Sequence, residues 1–310
     1  IRDPEMSRGL GDVYKRQGTE RYMQFTQDFF KPEIREEFEI QAMMKRAWAA
    51  QMEVLQVVAD ICEENGLQYF ADGGTLLGAV RHQGFIPWDD DIDVGMLRDD
   101  YNRFAKEFNQ KGKRYRFLCP EKDRDYCYAQ GKVIDTNTVL YEPDETGRKL
   151  AVNIDIFVYD NAPNDEIKTK KMFDKRDFYR RLNVAHSQRC DIIGGKKRNL
   201  VFGILRIITM PFSHNFFALK MVENSQKYAA VDLDKIGDFT SYSRAVCEKA
   251  AFDSFLEMEF EHKNYKVPSG YDEWLRALYG NYMELPPIEK RVSTHKFKAY
   301  KIVQKGEGEN

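Results

Sequence analysis

The sequence predicts an α+β fold, with a mixed β-sheet core flanked by helices and a helical C-terminal annex. Strand-like alternation is concentrated before residue 160, and helical periodicity with basic charge takes over after Asn164. The cleanest aliphatic alternation in the chain, Leu150–Tyr159, closes the first block as a core strand would.

Ile1–Gln17 has neither a helical nor a strand period and reads as a non-native or disordered leader, so fold reasoning starts at residue 18. Between Met43 and Glu64, the residues Trp48, Met52, Leu55, Ala59 and Cys62 recur at spacings of four and three. They make one face of an amphipathic helix that Asn65-Gly66 stops. Leu67–Ala71 is a short strand, Gly73-Gly74 a turn, and Thr75–Gln83 a short helix opening from it. Pro87 and Trp88 mark a loop before a strand at Asp91–Met96. Asp99 is the expected N-cap of a helix with the seam Tyr101, Phe104 and Phe108. Further strands are expected at Tyr115–Cys119, Tyr126–Ile134 and Thr138–Glu142. In Leu150–Tyr159 the even positions Val152, Ile154, Ile156 and Val158 form an aliphatic face, while Asn153, Asp155 and Phe157 point the other way. The expected units are N-terminal helices with a core over 18–162, a helical and mixed annex over 163–300, and a polar tail over 301–310.

Lys and Arg total 48 against 50 Asp and Glu, a formal net charge of -2, so nothing global predicts a nucleic-acid partner. The five cysteines are scattered, odd in number and without a C-x-x-C pair, as expected of free thiols in a reducing, cytoplasmic compartment. Leu200–Phe212 is the most membrane-like stretch, but Arg206 and Pro211 interrupt it and it is too short to span.

The sharpest chemical feature is Asp89-Asp90-Asp91-Ile92-Asp93-Val94. Four carboxylates in five residues repel one another and gain stability from a cation between them. On a strand, Asp91 and Asp93 share a face about 7 Å apart, while Ile92 and Val94 enter the core. Oxygen ligands so placed suit one or two hard divalent cations, and Asp155, turned out of an aliphatic strand, has the setting of a third ligand. An acidic run in isolation is more often a solvated turn or a structural calcium loop. Here it follows a Gly73-Gly74-Thr75 turn whose backbone N–H groups and hydroxyl suit a phosphate.

A strand, Gly-Gly-Thr, a helix and then Asp-x-Asp on a strand is the order found in the nucleotidyltransferase superfamily. The longer string Tyr69–Asp93 (YFADGGTLLGAVRHQGFIPWDDDID) closely resembles the LicD-type phosphotransferase family, its LicD/fukutin-like branch. The likeness continues through Gly131–Asp135 with Thr138, Asn153–Phe157, Val267–Tyr271 and Tyr279–Met283, covering roughly Trp48 to Lys298. One departure is Val158 before Tyr159-Asp160, where members of the family often carry Pro.

The resemblance implies a nucleotidyltransferase-like core and transfer of an alcohol phosphate, phosphocholine or similar, from a CDP-alcohol. The acceptor would be a hydroxyl of a cell-surface glycan (lipopolysaccharide or teichoic acid) or of its lipid-linked precursor. It further implies Mg²⁺, or Mn²⁺ in its place, on Asp91, Asp93 and Asp155. Gly73, Gly74 and Thr75 would hold the donor phosphates, and Asp89 and Asp90 would orient Arg81, His82 or the metal ligands. One carboxylate, Asp155 in the first instance, would assist deprotonation of the acceptor.

Other residues carry two readings. Arg81 and His82 could contact the phosphates or donate to Asp89 and Asp90, or form an ordinary surface pair. Lys132 could neutralise the transferred phosphoryl group, or be a snorkelling lysine on an edge strand. From Ile192 to Val222 there is no acidic residue. Lys196, Lys197, Arg198, Arg206 and Lys220 lie among many apolar residues, as in a segment resting on an anionic membrane through 194–220. The rival is a helix packed on the core, which apolar residues around most of the segment favour. Tyr265, Tyr271, Trp274, Tyr279 and Tyr282 could stack on a sugar, a base or a quaternary ammonium, or be core.

Two other functions use the same residues. A nucleotidyltransferase moving NMP from an NTP would keep the carboxylates and release pyrophosphate. A non-catalytic binding module would use the acidic loop for structural calcium.

Overall fold

The computed structural model describes residues 25–108, 114–141, 149–187, 196–293 and 299–302. The leader 1–17 and all but the first two residues of the 301–310 tail lie outside them. The architecture is α+β: an eight-stranded mixed sheet with seven helices among the described residues. Helix α1, Ala42–Glu64, buries Trp48, Met52, Leu55, Val58 and Cys62. It ends where Asn65 Nδ2 donates to the Ile61 carbonyl at 2.8 Å and Gly66 takes φ +60.

The strands before the acidic run are β1 (Glu33–Arg35) and β2 (Phe38–Ile40), a small hairpin, and β3 (Phe70–Ala71). Helix α2, Gly73–His82, begins at the glycines themselves, two residues before the expected Thr75. Strand β4 is Asp93–Leu97 and helix α3 is Arg98–Glu107, so Asp99 lies in the first turn of α3 and Leu97 occupies the N-cap.

Strand β5 is Tyr115–Leu118, and β6 runs unbroken from Gly131 to Tyr141. The expected strand from Tyr126 therefore starts five residues late, and the expected break before Thr138 is a shift of register between Asp135 and Leu140. Thr138 patches that irregularity. Its hydroxyl donates to the Asp135 carbonyl at 2.7 Å and accepts from the Val152 amide at 2.8 Å.

The organising strand is β7, Lys149–Ala162. Val152, Ile154, Ile156 and Val158 are buried on one face, with Asn153, Asp155 and Phe157 half-buried on the other. Strand β6 pairs with β7 antiparallel, and β4 pairs with it parallel. With Val158 and Tyr159 in place of a proline, β7 continues through Asp160 and Asn161 to pair with β8 (Lys235–Asp238). Helix α1 lies against β6 and β7.

The boundary drawn at residue 162 is no break in the sheet. Strand β8, its partner β9 (Val246–Glu248) and β12 (Ala299–Ile302), which pairs with β6, all belong to it. The rest of the C-terminal part is helical: α4 (Glu166–His186), α5 (Lys196–Thr209), α6 (Phe216–Ser225) and α7 (Tyr271–Tyr279). A separate hairpin joins β10 (Phe255–Phe260) to β11 (Lys263–Pro268).

Helix α1 and this hairpin position the loop ahead of the acidic run. Trp48 stacks on Phe85 at 4.4 Å with parallel rings, and its Nε1 donates to the Asp89 carbonyl at 3.0 Å. Gln51 Nε2 donates to the Asp90 carbonyl at 2.8 Å. Glu261, at the hairpin turn, accepts from the Phe85 amide at 3.1 Å and pairs with Arg35 at 2.8 Å. Trp48→Phe should lose about 1–2 kcal/mol by leaving the buried Asp89 carbonyl short of a donor. Trp48→Ala should lose about 3–5 kcal/mol through the added cavity. Urea denaturation of both variants checks the ordering.

Candidate active site

The parallel register of β4 and β7 sets Asp93 directly opposite Asp155, on backbones about 4.8 Å apart. On the other side of β7, Lys132 of β6 is opposite Asp155. Its Nζ stands 2.5 Å from Asp155 Oδ1 and donates to Asn153 Oδ1 at 2.8 Å. Lys132 is not an edge residue, because β6 at that point is paired with β5 as well as β7. An ammonium inside a sheet requires an anionic partner, and Asp155 is that partner.

Upstream of β4, Asp89, Asp90 and Asp91 bring carboxylate oxygens within 4.8 Å of one another. Asp90 is fully buried and accepts from Ser293 Oγ at 2.6 Å. Asp89, Asp91 and Asp93 are half-buried. The N-terminus of α2 lies directly beneath them. A Cβ at Gly73 would come within 2.6 Å of Asp93 Oδ2, and one at Gly74 within 2.2 Å of Asp89 Oδ2. Gly73 also has φ +51, so both positions require glycine. Thr75 is buried, and its hydroxyl oxygen accepts from the Asp93 amide at 2.9 Å. That hydrogen bond fixes where β4 begins.

Asp72, just before the glycines, was not singled out from the sequence, although it lies inside the family-like string Tyr69–Asp93. It is buried and accepts from Trp274 Nε1 of α7 at 3.0 Å. A second residue of α7, Tyr279, has a half-exposed ring beside the same carboxylates. Burial pushes its phenol up, followed by the charges of Asp93, Asp72, Asp89 and Asp91. Among the five aromatic residues of the C-terminal region, Tyr265, Trp274 and Tyr282 are buried and Tyr271 is half-buried.

Arg81 and His82 are not brought to this cluster. They close the ten-residue α2, about 12 Å along its axis from Gly73. Arg81 Nη1 donates to the Tyr282 carbonyl at 2.5 Å. Burial, then Arg81 and Arg35, lower His82 to about 4, so its ring is neutral at physiological pH and offers a phosphate no charge.

Within the cluster, burial and neighbouring carboxylates raise Asp93 and Asp89. Burial, then Asp91, Asp155, Asp89 and Asp72, raises Asp93 well above the usual carboxylate range. Asp89 is raised by burial, then by Asp91 and Asp90. Asp155 Oδ1 is buried close to the Lys132 ammonium yet accepts no aligned hydrogen bond. Hard oxygen donors crowded together in this way fit Mg²⁺ or Mn²⁺.

A model of the LicD/FKTN/FKRP nucleotidyltransferase domain matches residues 66–190. The lipopolysaccharide cholinephosphotransferase LicD of Haemophilus influenzae is 34% identical over 259 residues, 80% of this chain and 94% of that protein. The chain belongs to the LicD family. As a LicD-type phosphotransferase it is a transferase of phosphorus-containing groups. The human ribitol 5-phosphate transferase FKRP is 44% identical over 48 residues, 16% of this chain and 10% of that protein. An uncharacterized protein of Rickettsia typhi is 28% identical over 173 residues, about half of each chain. The LicD domain match contains Asp72, the two glycines, the acidic run, Lys132 and Asp155, but not Trp274 or Tyr279.

The raised carboxyls give a test without substrate. A carboxyl whose native pKa lies above its unfolded value contributes stability at low pH, which is lost as pH rises through the native value. Asp93→Asn removes that liability, so the metal-free variant should melt above wild type at neutral pH. The difference should shrink as pH falls through the native value and vanish only below pH ~3, where Asp93 is protonated in both states. Thermal melts in chelator across that range check it, and a variant that melts below wild type at neutral pH would contradict the charge-repulsion account.

Proposed function

We propose that this protein moves an alcohol phosphate, phosphocholine in the first instance, from a CDP-alcohol to a hydroxyl of a cell-surface glycan or its lipid-linked precursor. The observation that carries the reading is the juxtaposition of Asp93, Asp155 and Lys132 on adjacent strands, with the α2 glycines directly beneath the acidic run. The 34% identity with a lipopolysaccharide cholinephosphotransferase supports the class of group transferred and the glycan acceptor.

Asp91, Asp93 and Asp155 would hold Mg²⁺, and Asp89 lies close enough to Asp91 to serve as a further ligand. A divalent cation there supplies positive charge against the donor pyrophosphate and the departing CMP. The N-terminus of α2 at Gly73 and Gly74 lies against the acidic run, and without side chains there it would let phosphate oxygens approach the helix terminus. Lys132 holds Asp155 in place and carries the positive charge that a transferred phosphoryl group needs as its three oxygens share the developing negative charge. Tyr279 would cover the donor, its ring stacking on the base or the quaternary ammonium. The acceptor hydroxyl would attack the distal phosphorus in line, breaking its bond to the departing CMP, and its proton would pass to a carboxylate of the cluster, Asp155 in the first instance.

We place the reaction in the cytoplasm. The buried thiols of Cys62, Cys119 and Cys247 form no disulfide, which suits a reducing compartment. No helix among the described residues is long and apolar enough to cross a membrane.

The deciding experiment is a thermal-shift and turnover screen with CDP-choline, CDP-ribitol, CDP-glycerol, CTP and ATP in the presence of Mg²⁺. A CDP-alcohol should stabilise the protein and yield CMP. Response to CTP or ATP alone with release of pyrophosphate would move the assignment to nucleotidyl transfer. Calcium-dependent melting with no nucleotide response would make the chain a binding module. Asp91→Asn and Asp93→Asn should each lower turnover about a thousandfold or more, the several kcal/mol a bound divalent cation contributes. Retained turnover in both variants would overturn the site. Tyr279→Ala should raise KM for the donor about tenfold with a smaller change in kcat, and Tyr279→Phe should restore most of it.

A further inference from the structure

Helix α5 and the turn after it present the most continuous apolar surface among the described residues. Val201, Ile204, Ile207 and Ile208 are exposed, Ile207 by 70%, and Met210 at 70% and Phe212 at 41% extend the patch. The spacing explains which side is covered. Phe202, Leu205 and Thr209, at i, i+3 and i+7, are at least half-buried toward α4, whereas 201, 204 and 208 fall on the opposite side. The packed helix favoured by apolar residues around most of this segment therefore holds for one face only. A helix apolar on both sides is stable in water only when both sides are covered, and a patch of this size on a monomer marks an interaction surface.

The charge around the patch identifies its occupant. The sequence has no acidic residue from Ile192 to Val222, and α5 opens with Lys196, Lys197 and Arg198. Arg206 is exposed too, on the side of the helix away from Val201, Ile204 and Ile208. Lys220 adds less, because Glu223 pairs with it at 2.5 Å. A second protein chain would ordinarily meet exposed isoleucines with complementary carboxylates or a dry apolar face. Apolar side chains flanked by cations, on a helix too short to span, match the boundary between acyl chains and anionic headgroups. We propose that α5 lies flat on an anionic lipid surface, Val201, Ile204, Ile207 and Ile208 entering the acyl boundary and the basic residues meeting the headgroups. This is independent of which group the enzyme transfers, and it would hold the active site near any acceptor carried on a lipid.

The test uses the full chain and vesicles of phosphatidylcholine with or without phosphatidylglycerol. Wild type should co-sediment with the anionic vesicles, and added salt should weaken the binding. Ile204→Asp and Ile208→Asp should each reduce the bound fraction at least about tenfold with unchanged melting temperature and turnover on a soluble acceptor. In Ile207→Trp, the emission should shift to the blue on adding anionic vesicles. Failure of wild type to bind, or binding unaffected by both aspartates, would overturn the proposal. A wild-type dimer in sedimentation equilibrium that Ile204→Asp dissociates would overturn it too, assigning the face to a second copy. Because sedimentation and emission need no turnover, their failure is distinguishable from failure of the transferase reading.

Discussion

Five carboxylates, those of Asp72, Asp89, Asp91, Asp93 and Asp155, surround one small region, and much of the fold around them holds like charges together. In water such a cluster would spread, since each neighbour raises the cost of ionising the next. The restraints act mainly on the backbone. Trp48 and Gln51 of α1 bind the carbonyls of Asp89 and Asp90, Thr75 binds the Asp93 amide, and the Asp72 amide binds the Asp93 carbonyl at 3.1 Å. Backbone restraints fix where the side chains go and leave carboxylate oxygens for a cation.

The same constraint explains why distant parts of the chain converge here. The loop from Gln83 to Trp88 must deliver the acidic run at a fixed height against β7, and its own backbone has few local partners. Glu261 of the β10–β11 turn supplies them, binding the Phe85 amide while its own amide donates to the Gln83 carbonyl at 2.8 Å. Glu261 would be costly to bury alone, and Arg35 offsets its charge. One buried ion pair thus links the first hairpin, the loop and the last hairpin.

What was legible in the sequence follows from how local the signal was. Alternation in Leu150–Tyr159 turned Asp155 away from the core, and it lies half-buried while Ile154 and Ile156 are buried. Its pairing with Asp93 was not legible, because parallel register depends on how β7 and β4 meet across the chain. Strands β8, β9 and β12 are short and were absorbed into an annex, since their strand character comes from pairing with β6, β7 and one another. Asp72 and Trp274 are 202 residues apart, so nothing local connected them. The placement of Arg81 and His82 was within reach. Eight residues of helix carry Arg81 about 12 Å from Gly73, too far for both ends of α2 to serve one phosphate group.

Burial and hydrogen bonding together divide the acidic residues into two kinds. Asp72 and Asp90 are deeply buried, and each has a neutral donor on its carboxylate, Trp274 for one and Ser293 for the other. A neutral donor suits a carboxyl that stays in place, because it serves either protonation state. Asp89, Asp91, Asp93 and Asp155 keep a partly open surface. Full burial would hold them protonated and useless to a cation, while full exposure would let water and salt screen the field that draws one in. Their position where β4 begins beside β7 lies between those limits. Lys132 is set where it meets Asp155 and Asn153 across the strand. Asp93 is left raised by burial and then by its neighbours, and a divalent cation entering the cluster would relieve that repulsion.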